Sequence, residues 1–251
     1  MRKIYIVPNF VTTANMFCGF YSIVSSMHSS FAAASWAIVV AAVFDMLDGR
    51  IARLARATSR FGVEYDSLSD LVSFGLAPAL LFYRWSLEPY GRLGWAAAFL
   101  FVACGALRLA RFNVNSDQVP KNCFQGLPIP IGAGLLATFI IFYNDVAWVS
   151  REPASAVARG AFSVTMVFVV SALMVSTVRF PSFKELNWRS RASFGYLLVA
   201  VLAMVLVAVN PEVAFFTILA AYVVLSLAWN GFAFLRHRRA VMTADAGGDG
   251  G

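Results

Sequence analysis

Residues 45–70 read DMLDGRIARLARATSRFGVEYDSLSD and hold four aspartates between two apolar runs. On a helix, Asp45 and Asp48 stand three apart and share a face. Asp66 and Asp70 stand four apart and also share one, with Gly62 a turn earlier. The short connection around residues 57–61 makes the two helices antiparallel neighbours, so the spacing predicts that all four carboxylates converge. A carboxylate in a membrane segment costs about 2.5–3.5 kcal/mol on insertion scales, and like charges add to that. A divalent cation offsets both. With no His or Cys nearby, the ligands are hard oxygens, which favour Mg²⁺ or Mn²⁺. Four carboxylates exceed what one Mg²⁺ takes, so two ions sharing bridging carboxylates fit better. Gly49 and Gly62 leave room for a close-approaching ligand, and Arg53 is placed to hold a phosphate oxygen. The chemistry is that of a pyrophosphate-containing substrate.

A blander reading makes this stretch a solvated loop of weak Arg–Asp pairs. It accounts for Arg56, Arg60 and Glu64. It does not account for Asp45, which follows AIVVAAVF, or for Asp70, which precedes LVSFGLAPALLF.

The elements that position these residues are membrane helices. The chain is 60% hydrophobic and 13% charged, with a mean hydropathy of +0.71. A soluble domain has about 25% charged residues. Spans of roughly 20 apolar residues fall near 10–28, 32–49, 65–84, 93–111, 129–149, 160–179, 193–209 and 212–235. The expectation is an all-α polytopic membrane bundle of about eight helices, a single transmembrane catalytic domain over 1–239, and a disordered cytoplasmic tail over 240–251. The segment 180–191, FPSFKELNWRSR, is either an interfacial stretch or an ordinary loop.

Lysine and arginine set the orientation. With eight spans, one side collects 16 of the 20 basic residues, and only Arg84, Arg92, Arg151 and Arg159 fall on the other. Both termini and the aspartates are therefore expected in the cytoplasm. The net charge of +7 marks cytoplasmic loops and anionic headgroups rather than nucleic acid. Cys18, Cys104 and Cys123 are scattered and suggest neither a disulfide framework nor a zinc site. The N-terminal MRKIYIVPNF, broken by Pro8 and Asn9, is not a signal peptide.

The aspartate stretch resembles the signature of the CDP-alcohol phosphatidyltransferases, D-x2-D-G-x2-A-R-x8-G-x3-D-x3-D. Asp45, Asp48, Gly49, Ala52, Arg53, Gly62, Asp66 and Asp70 match it at every spacing. At ordinary residue usage, eight such matches arise by chance on the order of once in 10¹⁰ windows. The resemblance implies transfer of a phosphatidyl group from a CDP-linked lipid to an alcohol, with release of CMP. It implies Asp45, Asp48 and Asp66 as metal ligands and Asp70 as a further ligand and general base. Gly49, Arg53 and Gly62 would contact the CDP portion. It also implies a six-helix core, here joined by two further helices, and a homodimer in a bacterial-type inner membrane.

VPNFVTTANMFCGF at the N-terminus, LRLARFNV (107–114) and FQGLPIP (124–130) resemble the bacterial, serine-using branch of that family, which takes CDP-diacylglycerol and L-serine. A serine carboxylate needs a cationic partner. Arg108 and Arg111, at i and i+3, are placed to grip one, and Asn113 to bond the amino group or a phosphate. As ordinary positive-inside anchors the two arginines would need no ligand. Asn9, Thr12 and Asn15 are candidate nucleotide or phosphate contacts, or polar packing between helices. Other acceptors of the family, namely glycerol phosphate, choline and inositol phosphate, are rivals. A cation-coupled transporter is a rival of another class, and would place its carboxylates at the bilayer midplane in repeated halves.

Overall fold

The computed structural model describes the backbone of residues 6–54, 59–115, 123–150, 156–181, 201–202 and 204–247. Residues 182–191 of the expected interfacial segment, and the start of the span expected at 193–209, lie outside the described residues.

Helices α1 (Ile6–Met27) and α2 (Phe31–Leu54) form a hairpin. Its turn closes with the Ser30 N–H donating to Ser25 O at 2.9 Å, and Ser29 takes φ 60°. Ala34, Ile38 and Ala41 recur on one buried face of α2. Small residues at that period let helices approach closely where no water drives them together.

Helix α3 (Arg60–Asp70) starts on Ser59, whose Oγ accepts from the Gly62 N–H at 3.0 Å, the usual N-cap bond. The helix then widens into a π-helical stretch, Leu71–Leu76, where the Ala77 N–H reaches back to Val72 O. The following residue, Pro78, has no N–H to give and disturbs the α register there. Helix α4 (Ala77–Phe82), a second π-helical stretch (Tyr83–Leu87) and a 3₁₀ turn (Glu88–Tyr90) complete the run. At Gly91, with φ 53°, the chain reverses into α5 (Gly91–Asn115), which packs back along α4 and the first π-helical stretch. The two spans expected at 65–84 and 93–111 are thus joined by helical turns rather than by a loop.

Strand β1 (Cys123–Gln125) pairs antiparallel with β2 (Arg179–Pro181), with Phe124 opposite Phe180. This ribbon is the one departure from an all-helical chain among the described residues. Helices α6 (Ile129–Ser150) and α7 (Ala156–Val175) lie between its strands in sequence. Helix α8 (Pro211–Gly247) packs on α6 and touches β2. It continues past residue 239, where the sequence suggested a disordered tail. Ala240, Met242, Ala244 and Ala246 are good helix formers and account for the extension.

The core is a continuous cluster that includes Phe74, Leu81, Phe82, Phe101, Leu136 and Ile140. Phe10, Phe17, Phe20, Trp95, Phe99 and Trp229 point outward, as apolar side chains do when lipid is the solvent. Among the described residues, three helical runs are long and apolar enough to cross a bilayer: Phe31–Ile51, Arg60–Val114 and Pro211–Phe232. Ile129–Asp145 and Gly160–Val175 are shorter apolar helices.

Candidate active site

The C-terminal part of α2 and the second half of α3 bring Asp45, Asp48 and Asp66 together. One carboxylate oxygen from each lies within 4.8 Å of the others. Asp48 is buried, and Asp45 and Asp66 are half-buried. Asp66 Oδ1 is buried with no hydrogen-bond partner. A buried, unpartnered carboxylate oxygen beside two more carboxylates is costly unless a cation joins it. The donor set therefore fits a hard divalent ion, with oxygen ligands only.

Asp70 lies one helical turn beyond Asp66 and is 8% exposed. It stands within electrostatic range of Asp45, Asp48 and Asp66, but the converging trio does not include it. Of the four aspartates expected to share metal, the structure thus brings three to one point and sets the fourth beside them.

Helix α1 holds two of the four. Thr12 Oγ1 donates to Asp48 Oδ2 at 2.9 Å, and Asn15 Nδ2 donates to Asp70 Oδ1 at 3.2 Å. In return, Ser69 Oγ donates to Thr12 O and Ser73 Oγ to Asn15 O, each at 3.0 Å. Ser69 and Ser73 flank Asp70 at one-turn spacing, so α1 is stitched to α3 on both sides of that carboxylate. The approach is close: a Cβ on Gly19 would lie 2.6 Å from Ser73 Cα. Thr12 and Asn15, candidate nucleotide or phosphate contacts by sequence, thus hydrogen-bond two of the carboxylates.

Asn9 lies beside Gly62, its Oδ1 3.7 Å from where a Gly62 Cβ would stand. A Cβ on Gly49 would meet nothing within 4 Å, so open space adjoins the trio there. Arg53 belongs to α2, but its side chain lies outside the described residues.

The two arginines of α5 part company. Arg111 donates from Nη1 to Val175 O at 3.1 Å, and from Nη2 to Gln125 O at 3.0 Å and Ser176 O at 3.3 Å. It ties β1 to the end of α7. Arg108 is 8% exposed, its Nε lacks a partner, and Asp70 lies within its electrostatic range. Asn113 Nδ2 donates to Ser67 Oγ at 2.9 Å, which fastens the end of α5 to α3.

Ser67, Ser69, Ser73 and Gly19 had no signal as isolated residues. The available hint was their spacing: serines at four-residue intervals around Asp70 match polar residues at three-residue intervals on α1.

A family model described as CDP-alcohol phosphatidyltransferase matches residues 5–178. A CDP-diacylglycerol--serine O-phosphatidyltransferase of Helicobacter pylori (strain ATCC 700392 / 26695) is 34% identical over 224 residues, 89% of this chain and 90% of the relative. One of Bacillus subtilis (strain 168) is 33% identical over 179 residues, 71% of this chain and 92% of the relative. An archaetidylserine synthase of Methanothermobacter thermautotrophicus is 36% identical over 182 residues, covering 70% of this chain and 69% of the relative.

Proposed function

The chain belongs to the CDP-alcohol phosphatidyltransferase family, and from that premise we propose how its site makes a phospholipid. It is an integral membrane enzyme of phospholipid biosynthesis. It transfers the phosphatidyl group of CDP-diacylglycerol to L-serine, releasing CMP and forming phosphatidylserine. The names of its relatives carry the acceptor: serine stands in each, in the CDP-diacylglycerol--serine O-phosphatidyltransferases as in the archaetidylserine synthase.

The observation that carries the mechanism is the meeting of Asp45, Asp48 and Asp66 beside a separately held Asp70. The trio, with Asp70 adjoining, would hold Mg²⁺ or Mn²⁺, two ions in the fuller reading. A cation held by these carboxylates would supply neutralisation of pyrophosphate charge, which would help CMP to leave. The open space at Gly49 and the small Gly62 beside Asn9 receive the CDP portion, with Thr12 steadying Asp48 and Arg53 on a phosphate oxygen. Asp70 is the general base. Asn15 occupies its Oδ1, which leaves Oδ2 to take the serine hydroxyl proton as the serine oxygen bonds to phosphorus and the bond to CMP breaks. Arg108, buried and near Asp70, pairs with the serine carboxylate. Arg111 and Asn113 support the acceptor side through the backbone and Ser67.

The site and both termini face the cytoplasm of a bacterial-type inner membrane. Residues 1–239 act as one catalytic domain of about eight crossings, and two chains associate as a homodimer. The residues at the two ends of the helices segregate. Asp48, Asp66, Arg108 and the ribbon gather at one end. At the other, Asn210 reaches Asp145 and Gly160 meets the Tyr90 ring. The carboxylates therefore sit at one edge of the bundle, which disfavours a midplane transport site.

The test is CMP release by purified protein in mixed micelles with CDP-diacylglycerol and each acceptor. Serine should support release, and glycerol phosphate, choline and inositol phosphate should not. EDTA should abolish the activity, and Mg²⁺ or Mn²⁺ should restore it. Release with glycerol phosphate and none with serine would overturn the acceptor, and full activity in EDTA would overturn the metal.

A further inference from the structure

Outside the aspartates, two buried polar atoms around Asp70 lack a hydrogen-bond partner among the described residues, and they are of opposite kind. Asn15 is fully buried, and its Oδ1, an acceptor, has no donor. Arg108 is 8% exposed, and its Nε, a donor, has no acceptor. The rest of Asn15 is held on both sides. Its Nδ2 donates to Asp70 Oδ1 at 3.2 Å, and its backbone carbonyl accepts from Ser73 Oγ at 3.0 Å. An ionised carboxylate only accepts, so the amide turns its NH₂ to Asp70 and its oxygen away. Helix α5 sets the level of Arg108. Asn113 Nδ2 is bonded to Ser67 Oγ, and α5 runs back against the π-helical stretch that follows Asp70. Arg108 stands five residues before Asn113, which in this antiparallel register brings it level with the start of that stretch, beside Asp70.

We infer that Asn15 Oδ1 receives the amino group of the incoming amino acid, a role that rests on the serine reading above and divides the acceptor among three residues. Asp70 takes the hydroxyl proton, Arg108 the carboxylate and Asn15 the ammonium. The amino group of serine stands on the carbon next to the one that carries the hydroxyl. A base and the amide bonded to it are therefore within the span of one small molecule. A buried acceptor oxygen left unpaired is costly, and a donor that arrives with the substrate removes the cost. This makes Asn15 selective against alcohols without an N–H. Glycerol phosphate and inositol phosphate have no amino group, and the nitrogen of choline carries methyl groups and no hydrogen. Each would leave Asn15 Oδ1 unpaired. Ethanolamine would satisfy Asn15 and leave Arg108 without its carboxylate.

L-Alanine and propanoate differ only in the amino group and have no hydroxyl to react, so each serves as an inhibitor of CMP release with serine. The wild-type protein should bind L-alanine at least about tenfold more tightly than propanoate, the worth of a hydrogen bond to a charged group. Asn15→Ala should reduce that preference to within about twofold. Asn15→Leu, apolar and of similar length, repeats the measurement where Asn15→Ala does not fold. Asn15→Asp keeps an oxygen for the ammonium and loses the N–H to Asp70. It should keep the preference while kcat falls by about tenfold or more. A residue that only held Asp70 in place would change kcat and leave the ratio of the two inhibition constants as in wild type. Equal inhibition of the wild type by the two compounds, an intact preference in Asn15→Ala, or its loss in Asn15→Asp would each overturn the role of Asn15. Failure of the acceptor reading looks different: the wild-type protein would release CMP with another alcohol and not with serine. An alcohol without an N–H would then overturn both readings, and one that carries an amino group would be compared with its deaminated analogue in the same variants.

Discussion

Asp70 differs from its three neighbours in how it is held. Asp45, Asp48 and Asp66 converge on a point fit for a cation, whereas Asp70 is buried and has one oxygen taken by Asn15. In the proposed mechanism this division separates charge neutralisation from proton transfer, and it yields a clean substitution. Asp70→Asn keeps an oxygen for the Asn15 amide, so α1 stays docked and the trio stays intact. CMP release should fall by about 10²–10⁴-fold, the usual contribution of a positioned base, while CDP-diacylglycerol still binds. Turnover assays paired with binding of a labelled CDP-lipid would check this. Wild-type turnover in Asp70→Asn would remove Asp70 as the base. At the same scale, Arg108 and Arg111 show how burial and partners decide a role. Both are cations at the end of one helix, yet one is spent on backbone carbonyls and the other is left with an unpartnered Nε.

At the scale of elements, the site depends on α1 pressing against α3 and its π-helical continuation. Two glycines in this region predict opposite outcomes for one substitution. Gly19→Ala places a Cβ 2.5 Å from Ser73 Oγ and 2.6 Å from its Cα, which pushes the helices apart and strains the Thr12 and Asn15 bonds. Overpacking of this kind costs about 1–3 kcal/mol, so thermal stability in detergent and CMP release should both fall. Gly49→Ala meets nothing within 4 Å and gains helix propensity, roughly 0.5–1 kcal/mol. It should leave stability equal or higher and raise the KM for CDP-diacylglycerol, because the methyl enters space reserved for the nucleotide. Equal stability of the two variants would contradict the packing argument. These contrasts also mark what the sequence could reveal. The 3.6-residue period was enough to put Asp45 with Asp48 and Asp66 with Asp70, and the short 57–61 connection to join the pairs. Which hydroxyl meets which carbonyl depends on how two helices cross, and no period within one helix encodes that. The π-helical stretches were hidden for a related reason, since Pro78 signals a disturbance and not its form. Arg108 and Arg111 were inseparable because three residues along a helix leave both on nearly one face, and only the partners of Arg111 from α7 and the ribbon tell them apart.

At the scale of the whole molecule, charge and geometry point to one asymmetric end. The residues around the aspartates, Arg108, Arg111 and the ribbon lie at that end. The opposite end carries the exposed Arg84–Glu88 pair at 2.7 Å and the Asn210–Asp145 contact. Lysines and arginines retained in the cytoplasm set the orientation of a bundle, and the sequence pattern assigns most of the basic residues to the site's end. Serine is polar and must arrive from water, and CMP must leave into it, so the site's end has to face the compartment that supplies the one and receives the other. Membrane orientation can be measured directly in a chain whose three native cysteines are replaced. Single cysteines at Arg60→Cys, beside the start of α3, and Glu88→Cys, at the far turn, both replace exposed side chains. A membrane-impermeant maleimide applied to intact cells should label Glu88→Cys, and should label Arg60→Cys only after lysis. The reverse pattern would invert the protein in the membrane and place its site outside. Labelling of both in intact cells would mean that the two turns share a face, and that the run from Arg60 to Tyr90 does not cross the bilayer.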